Sequence, residues 1–196
     1  MHGRHPDEAS RQFDLAMMRI CLDLASDAAA QGEIPVGALV IQAGAIIATG
    51  HNLTERLADP TAHAERLVLT EAGRVRRSWR LDGCTLYATL EPCPMCAGAI
   101  VQSRLDRLVY GANDPKAGAC RSLYRLLDDP RLNHQVEWTA GVLEKPCADI
   151  LTRFFQDRRR TVSPLGGVPE WSKGPVSKTG GPVPGPVGSN PTSSAD

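Results

Sequence analysis

The chain has 196 residues, of which 42% are hydrophobic, enough for one domain with a substantial core and an additional segment. Lys and Arg number 22, as do Asp and Glu, so no global charge indicates a nucleic-acid partner and any such contact must come from a local patch. No signal-peptide pattern opens the chain, and its most apolar segment, residues 36–48, is shorter than the ~20 residues of a membrane-spanning helix. We therefore expect a cytoplasmic protein without membrane contact.

The hydrophobic pattern up to residue 160 alternates between helical and strand spacing. Apolar side chains recur every three or four residues from Phe13 to Leu24, which predicts a first helix that ends near Gly32. Further helices are predicted from Asp59 toward Gly73 and over residues 93–101, 122–127 and 144–160. Strands are predicted over residues 36–42, 45–48, 85–90, 107–111 and 135–139. This alternation indicates a layered α/β sandwich.

The composition changes after Arg160, because Gly, Pro and Ser supply 20 of the last 36 residues. Such a segment cannot bury enough apolar surface to offset the chain entropy lost on folding. We therefore predict a folded domain over residues 1–160 and a disordered tail over residues 161–196. An alternative origin for the tail is a reading frame that crosses a tRNA gene, since residues 168–180 and 188–191 can be encoded by sequences resembling arms of a serine tRNA gene.

Metal-binding side chains stand at two places, His63-x-Glu65 and Cys93-x-x-Cys96. Structural zinc sites use four Cys or His ligands, whereas catalytic sites use three and leave the fourth position to water. His63, Cys93 and Cys96 supply three ligands, and Glu65 is a spare carboxylate that can move protons. This inventory predicts a zinc hydrolase in which metal binding lowers the pKa of a water molecule to roughly 7.

The two halves of this pattern carry little information separately. A lone C-x-x-C also fits a thioredoxin-like redox pair or half of a structural zinc ribbon, and a lone H-x-E indicates almost nothing. Together and in this order, H-x-E and P-C-x-x-C resemble the signature of zinc-dependent nucleobase deaminases.

The local sequence indicates how these groups are presented. Asp59-Pro60 resembles a helix start, with a capping side chain before a proline, which predicts that His63 and Glu65 lie near a helix N-terminus. Glu91 precedes a proline and is expected to be extended, so that Cys93 opens the next helix. A helix N-terminus stabilises the thiolate that binds zinc.

Residues 13–160 resemble the bacterial tRNA-specific adenosine deaminase family, within the cytidine deaminase superfamily. The stretches that carry the resemblance are residues 33–38 (EIPVGA), 51–52 (HN), 59–65 (DPTAHAE), 90–99 (LEPCPMCAGA) and 110–119 (YGANDPKAGA). The resemblance implies the cytidine deaminase-like fold, a three-layer α/β/α sandwich around a five-stranded mixed sheet. Residues 1–160 would then form a zinc-dependent deaminase domain.

The resemblance also implies an activity. Members of the family convert adenosine to inosine at the wobble position of tRNA, typically in arginine tRNA with the anticodon ACG, using one Zn²⁺ per subunit. A tRNA anticodon stem-loop and a second copy of the chain, in a homodimer, are the expected partners. The expected mechanism is attack of zinc-activated water on C6 of the flipped adenine, with Glu65 moving protons to N1 and to the departing amine.

Several residues match substrate-binding positions of the family. Asn52 matches the residue that hydrogen-bonds the base, although an Asn by itself is also a common turn residue. The backbone of Ala64 belongs to the same pocket, and Pro92 is assigned to the substrate-binding residues with it. Asp114 matches a position beside the bound RNA, although Asp before Pro is also a common turn former.

The final predicted helix carries the aromatic pair Phe154-Phe155 and the basic cluster 158–160, where the family has a comparable pair and cluster. Aromatic rings stack on unpaired bases and Arg pairs with phosphate, so Phe155, Arg158 and Arg159 are predicted to contact RNA. The alternative is that the rings pack the helix and the arginines form a solvated end.

Two other functions stay open at this point. One is a deaminase of free guanine or cytosine, because the same metal site serves several bases and the pocket walls select among them. The other is a zinc module without catalytic activity that lends an RNA-binding surface to a partner. The matching segment around Asp114 weighs against the first. Glu65 weighs against the second, since a structural site has no use for a spare carboxylate.

Overall fold

A computed structural model describes residues 8–161, so the predicted tail lies outside the described residues except for residue 161. In chain order the elements are α1 (Glu8–Ala30), β1 (Gly37–Gln42), β2 (Ala45–His51), α2 (Thr54–Leu57), α3 (Ala64–Arg76), β3 (Cys84–Leu90), α4 (Pro94–Gln102), β4 (Arg107–Ala112), β5 (Glu137–Thr139) and α5 (Glu144–Thr161). Within residues 8–161, no helix combines the length and the apolar character needed to cross a membrane.

Five strands form one mixed sheet in the order β2-β1-β3-β4-β5. Strand β1 runs antiparallel to both of its neighbours, whereas β3, β4 and β5 run parallel to one another. Helices α1 and α5 pack on one face of the sheet, and α3 and α4 pack on the other. The predicted three-layer α/β/α sandwich is confirmed.

The central strands alternate between the two cores. Val40 and Leu86 face α3 and α4, whereas their neighbours Leu39 and Tyr87 face α1 and α5, and all four are buried. A strand that is covered on both faces has apolar side chains on both sides, so its sequence is a continuous apolar run, as in these central strands. Helix α1 approaches β1 so closely that a Cβ at Gly37 would lie 2.1 Å from the carbonyl oxygen of Cys21.

The helix predicted from Asp59 begins later, at Ala64, so that boundary was wrong. The Asp59 carboxylate accepts hydrogen bonds from the backbone nitrogen of Thr61 at 2.7 Å and from its hydroxyl at 2.8 Å. Asp59 therefore closes a turn, a common use of this side chain, and does not cap the helix. His63 is the N-cap residue, so His63 and Glu65 lie at the helix N-terminus as predicted.

The helix predicted over residues 122–127 is absent from the described chain, which is irregular there with a turn at each end. The backbone N–H groups of Cys120, Arg121 and Ser122 donate to the carboxylate of Glu91 at 3.1, 2.7 and 2.9 Å. A buried anion 29 to 31 residues earlier in the chain thus binds amides at the predicted start of this helix. The prediction was wrong because local propensity contains no information about this partner.

The single-turn helix α2 was not predicted from the sequence. Glu33 accepts hydrogen bonds from the backbone nitrogens of Glu55 and Arg56 at 3.1 and 2.7 Å. These amides belong to the first turn, whose N–H groups lack partners within a helix. Glu33 therefore stabilises α2 from a distant position in the sequence.

Candidate active site

The N-terminal ends of α3 and α4 bring three potential metal ligands together. His63 and Cys93 are the N-cap residues of these helices, and Cys96 lies in the first turn of α4. Nδ1 of His63 lies 3.7 Å from Sγ of Cys93 and 3.6 Å from Sγ of Cys96. The three ligand atoms all lie within 4.8 Å of one another.

These distances fit a tetrahedral zinc ion. Zinc bonds of about 2.3 Å to sulfur and about 2.0 Å to nitrogen, at tetrahedral angles, separate a sulfur from a nitrogen by roughly 3.5 Å. No fourth His, Cys, Asp or Glu of residues 8–161 joins the group. The donor set is therefore that of a three-ligand site with one position left for another molecule.

The thiols differ in their affinity for protons. A hydrogen bond from Cys96 lowers the pKa of the Cys93 thiol to about 4, with a further contribution from His63, while partial burial opposes the shift. The same bond to Cys93 raises the pKa of Cys96 above its ordinary value. The hydrogen bond that the His63 ring donates to Cys93 also raises the pKa of His63. The site thus carries a thiolate, the form of cysteine that binds metal ions.

Glu65 lies in the first turn of α3 and is only 4% exposed. It lines the same cavity as His63 and Cys93. Burial raises the pKa of its carboxyl group above the ordinary value. A carboxyl group whose pKa is shifted toward neutrality is suited to accept and donate protons.

A cavity of about 660 Å³ opens in front of these groups. Seven of the sequence-predicted site residues lie in or around it: Asn52, His63, Glu65, Cys93, Asp114, Phe155 and Arg159. Residues from β3, β4, α5 and the loops beside them complete the wall. This volume is in the range of small-molecule sites, which span about 300–1,000 Å³.

Glu33 sets the orientation of the Asn52 side chain. Nδ2 of Asn52 donates to Oε2 of Glu33 at 3.2 Å and also contacts the hydroxyl of Thr54. Because a carboxylate only accepts hydrogen bonds, the nitrogen end of the amide must face Glu33. The carbonyl oxygen Oδ1 is therefore the end of the amide that can bind another molecule.

Glu33 stays ionised in this position although it is only 1% exposed. Burial acts to raise its pKa, but the backbone N–H groups of Arg56 and Glu55 and the amide of Asn52 outweigh this effect and lower it. Sequence reasoning did not identify Glu33 as a site residue. Only the fold brings its carboxylate, on the loop after α1, to Asn52 at the end of β2.

Asp114 lies in the loop after β4 and lines the cavity. Its carboxylate accepts the backbone N–H groups of Lys116 and Ala117 at 2.9 and 3.2 Å, so it is also the turn former that its position before a proline suggested. Its own backbone nitrogen donates to Glu91 at 3.0 Å. Glu91, another residue that sequence reasoning missed, therefore fixes this wall of the cavity.

Helix α5 places two of the predicted RNA-contact residues at the cavity. Phe155, which is 41% exposed, and Arg159 are among its lining residues. Arg158 instead donates to the carbonyl oxygen of Gly32 at 3.1 Å and pairs with Glu55 at 3.6 Å. Arg158 therefore attaches α5 to the body of the domain, and its contact with RNA stays a prediction.

Ala64 and Pro92 are buried next to the potential metal ligands and are not among the residues that line the cavity in the described chain. The carbonyl oxygen of Pro92 accepts the backbone N–H of Ala119 at 2.8 Å, which ties the start of α4 to the loop after β4. A direct contact of Ala64 or Pro92 with substrate stays a prediction.

Comparison with known proteins identifies the family. The profile of the MafB19-like deaminases matches residues 13–159. The tRNA-specific adenosine deaminase of Bacillus subtilis is 48% identical over 147 residues, which cover 75% of this chain and 91% of that protein. The chain belongs to the tRNA-specific adenosine deaminase family. It is thus an enzyme of the hydrolytic deaminase type, and the resemblance seen in its motifs is confirmed.

Further comparisons agree with this tRNA-specific adenosine deaminase assignment. The tRNA-specific adenosine deaminase of Haemophilus influenzae is 50% identical over 149 residues, covering 76% of this chain and 86% of the relative. A structure from a study of A-to-I editing by tRNA:A34 deaminases at the wobble position matches with a TM-score of 0.67 and 42% identity, over 69% of this chain and 99% of that one. A guanine deaminase from Nitrosomonas europaea, at 24% identity, 79% and 95% coverage and a TM-score of 0.63, shares the fold alone.

Proposed function

We propose that this chain converts adenosine to inosine at position 34, the wobble position of a tRNA anticodon. Arginine tRNA with the anticodon ACG is the substrate we expect first. The observation that carries the proposal is the cavity, in which metal ligands, the buried carboxylate of Glu65 and the amide of Asn52 border one space. Relatives named tRNA-specific adenosine deaminases, at 43–50% identity, support tRNA as the substrate.

His63, Cys93 and Cys96 would hold one zinc ion per subunit. Imidazole and thiolate ligands in a tetrahedral arrangement favour zinc over harder divalent ions. When bound, zinc supplies a water molecule of lowered pKa and a positive charge near the reacting carbon.

Glu65 is the group that moves protons in this proposal. Its carboxylate accepts one proton from the attacking water and delivers it to N1 of the adenine ring, then accepts the second proton from the hydroxyl added at C6 and delivers it to the departing amine. One water is consumed, ammonia leaves and inosine remains. Asn52 contributes a hydrogen bond that positions the nucleotide beside Glu65.

The walls of the cavity suit an unstacked nucleotide in a loop. Phe155 offers an aromatic surface, and Arg159 and Lys116 add positive charge around the same opening. Proteins that read RNA loops combine stacking on aromatic rings with contacts to phosphate. Arg158 would join this surface by exchanging its contact with Glu55 for a phosphate, and Asp114 would lie beside the bound loop.

We further propose that the chain acts in the cytoplasm as a homodimer whose subunits each contribute to the RNA-binding surface. Analytical ultracentrifugation of the full chain measures the subunit number directly, and cell fractionation locates the protein. A monomer at the concentrations used for activity assays would contradict the dimer without affecting the proposed chemistry.

The test is inosine formation on an arginine-tRNA anticodon stem-loop with adenosine at the wobble position. We expect inosine from the unmodified chain and from Glu71→Ala, an exposed carboxylate on the same helix, but none from Glu65→Ala. Free guanine and cytosine are assayed in parallel. Absence of inosine from a folded, zinc-loaded sample overturns the proposal, and ammonia released from a free base would assign the site to a free-base deaminase.

A further inference from the structure

The C-terminal end of α3 carries a local excess of positive charge. Residues 74–80 (RVRRSWR) contain four arginines and no acidic residue, although acidic and basic residues balance in the chain as a whole. Five of these residues are exposed, and we call the four that are cationic or aromatic the α3-end patch: Arg74, Arg77, Trp79 and Arg80.

The α3-end patch combines cations with an exposed aromatic ring. Trp79 is 63% exposed, and the guanidinium carbon of Arg80 lies 4.8 Å from the centre of a Trp79 ring. Arg74 pairs weakly with Glu71 at 3.4 Å. Among residues 8–161, no carboxylate lies within ion-pair distance of Arg77 or Arg80.

Stabilisation of the helix explains only part of this cluster. Cations in the last turn interact favourably with the C-terminal end of a helix, which accounts for Arg74 and Arg76. Arg76 also donates to the carbonyl oxygen of Asp82 at 2.7 Å. Arg77 is the C-cap residue and Arg80 lies beyond the helix, so neither belongs to that last turn. An indole left largely in water next to them is likewise unnecessary for folding.

We propose that the α3-end patch binds the sugar-phosphate backbone of tRNA outside the anticodon loop. Arg77 and Arg80 would contact phosphates, and Trp79 would pack against a sugar or an exposed base. This inference rests on the proposed function, since it assigns a second contact to the same RNA.

The position of the patch relative to the active site fits this role. Helix α3 begins at the metal site and the patch lies at its other end, about 18 Å away at 1.5 Å per residue. An RNA whose loop enters the cavity continues outside it as a negatively charged stem. An RNA that extends beyond a minimal stem-loop could therefore reach the α3-end patch as well. A second copy of the chain fits the patch less well, because two such clusters would repel each other.

The experiment compares two RNAs that share one anticodon loop, a minimal stem-loop and the whole tRNA. We expect the double substitution Arg77→Gln and Arg80→Gln to lower kcat/KM on the whole tRNA about tenfold, as expected for loss of about 1.4 kcal/mol of binding, and to leave the stem-loop within twofold. A plot of log affinity against log salt concentration has a negative slope, and its magnitude should fall by roughly 1.4 to 1.8 in this variant. Two phosphate contacts are lost, and each contributes ~0.7 to ~0.9 to that magnitude. Trp79→Ala should lower kcat/KM on the whole tRNA alone.

The matched control is Arg11→Gln with Arg19→Gln, which removes two exposed arginines from α1 on the opposite face of the sheet. The control should have the same kcat/KM as the unmodified chain on both RNAs. An equal loss on both RNAs, or no loss on either, overturns the inference. Binding of both RNAs is also measured in the Glu65→Ala background, so the contact is tested even if no inosine forms. Absence of inosine from the unmodified chain would contradict the proposed function but not this contact.

Discussion

The carboxylate of Glu91 accepts the backbone N–H of Asp114 at 3.0 Å, which joins the end of β3 to the loop that lines the cavity. The same carboxylate accepts three more backbone N–H groups, from residues 120–122, and the hydroxyl of Ser122. Gly118 packs against it so closely that a Cβ there would lie 2.4 Å from the carboxyl carbon. One wall of the candidate active site is therefore folded around a single buried anion.

Replacing this anion should destabilise the fold. A Gln at position 91 keeps the shape of Glu91 but directs an NH₂ group toward N–H donors, which leaves buried groups unsatisfied. We expect Glu91→Gln to lower the free energy of unfolding by about 2–4 kcal/mol in urea titrations, given about 1.5–3 kcal/mol for a hydrogen bond to a charged group. Glu137→Gln, an exposed carboxylate in β5, is the control. A loss below ~0.5 kcal/mol, the usual effect of a surface substitution, would contradict this account.

The buried carboxylates Glu33 and Glu91 should make the fold sensitive to acid. Burial acts to raise both pKa values, but hydrogen bonds from backbone N–H groups, and from Ser122 to Glu91, lower them below the ordinary value. A carboxylate with a lowered folded-state pKa contributes stability above its unfolded pKa of about 4.3, and this stability is lost as the pH falls through the folded-state value.

Urea titrations between neutral pH and about pH 3 measure this effect, since both groups should protonate below their unfolded pKa of about 4.3. We expect the unfolding free energy to fall most steeply in the acid range, and Glu91→Gln to show a shallower fall than the unmodified chain. Parallel curves for the two proteins would show that Glu91 does not contribute to acid sensitivity.

Glu65 should be required for turnover but not for metal binding. Its carboxylate is not part of the His63, Cys93 and Cys96 group, so Glu65→Gln should retain one zinc per chain by elemental analysis. Loss of a general acid and base costs about 10²–10⁴ in rate, and we expect kcat to fall by that factor. Loss of zinc in this variant would instead identify Glu65 as a ligand.

Removal of the metal or of one ligand should abolish activity. We expect Cys96→Ser to reduce bound zinc far below one per chain, because a hydroxyl is a poor zinc ligand compared with a thiolate. Treatment of the unmodified chain with a chelator should lower its melting temperature and its inosine formation, and added zinc should restore both. Cys84→Ser, which changes a buried cysteine outside the metal-ligand group, should retain the metal. Full zinc content in Cys96→Ser would exclude it as a ligand.

Glu33 and Asn52 should act as one unit on substrate binding. Without the carboxylate the amide of Asn52 can rotate, so we expect Glu33→Gln to lower kcat/KM about tenfold, equivalent to the ~1.4 kcal/mol of one hydrogen bond. Asn52→Ala should lower it at least as much, and the double variant should be no worse than Asn52→Ala. Additive losses in this double-mutant cycle would show that Glu33 acts independently of Asn52.

Short-range patterns in the sequence predicted most of the secondary structure and singled out the three side chains that the fold brings together as potential metal ligands. Helix α1, the five strands and α5 follow from the spacing of apolar residues, which reflects contacts within one helix or one strand. His63, Cys93 and Cys96 were predicted to bind zinc from their residue type, because few side chains bind zinc and their spacing is characteristic.

Only the tertiary structure decided how the two buried carboxylates are used. Glu33 binds amides 22 and 23 residues away, and Glu91 binds amides 23 to 31 residues away. The bonds to backbone amides stabilise α2 and occupy the start of the helix predicted over residues 122–127, and a separate bond from Nδ2 of Asn52 to Glu33 orients the Asn52 side chain. Sequence patterns could not predict them, because propensity describes neighbouring residues, whereas the partner of a buried carboxylate is set by which loops the sheet brings together.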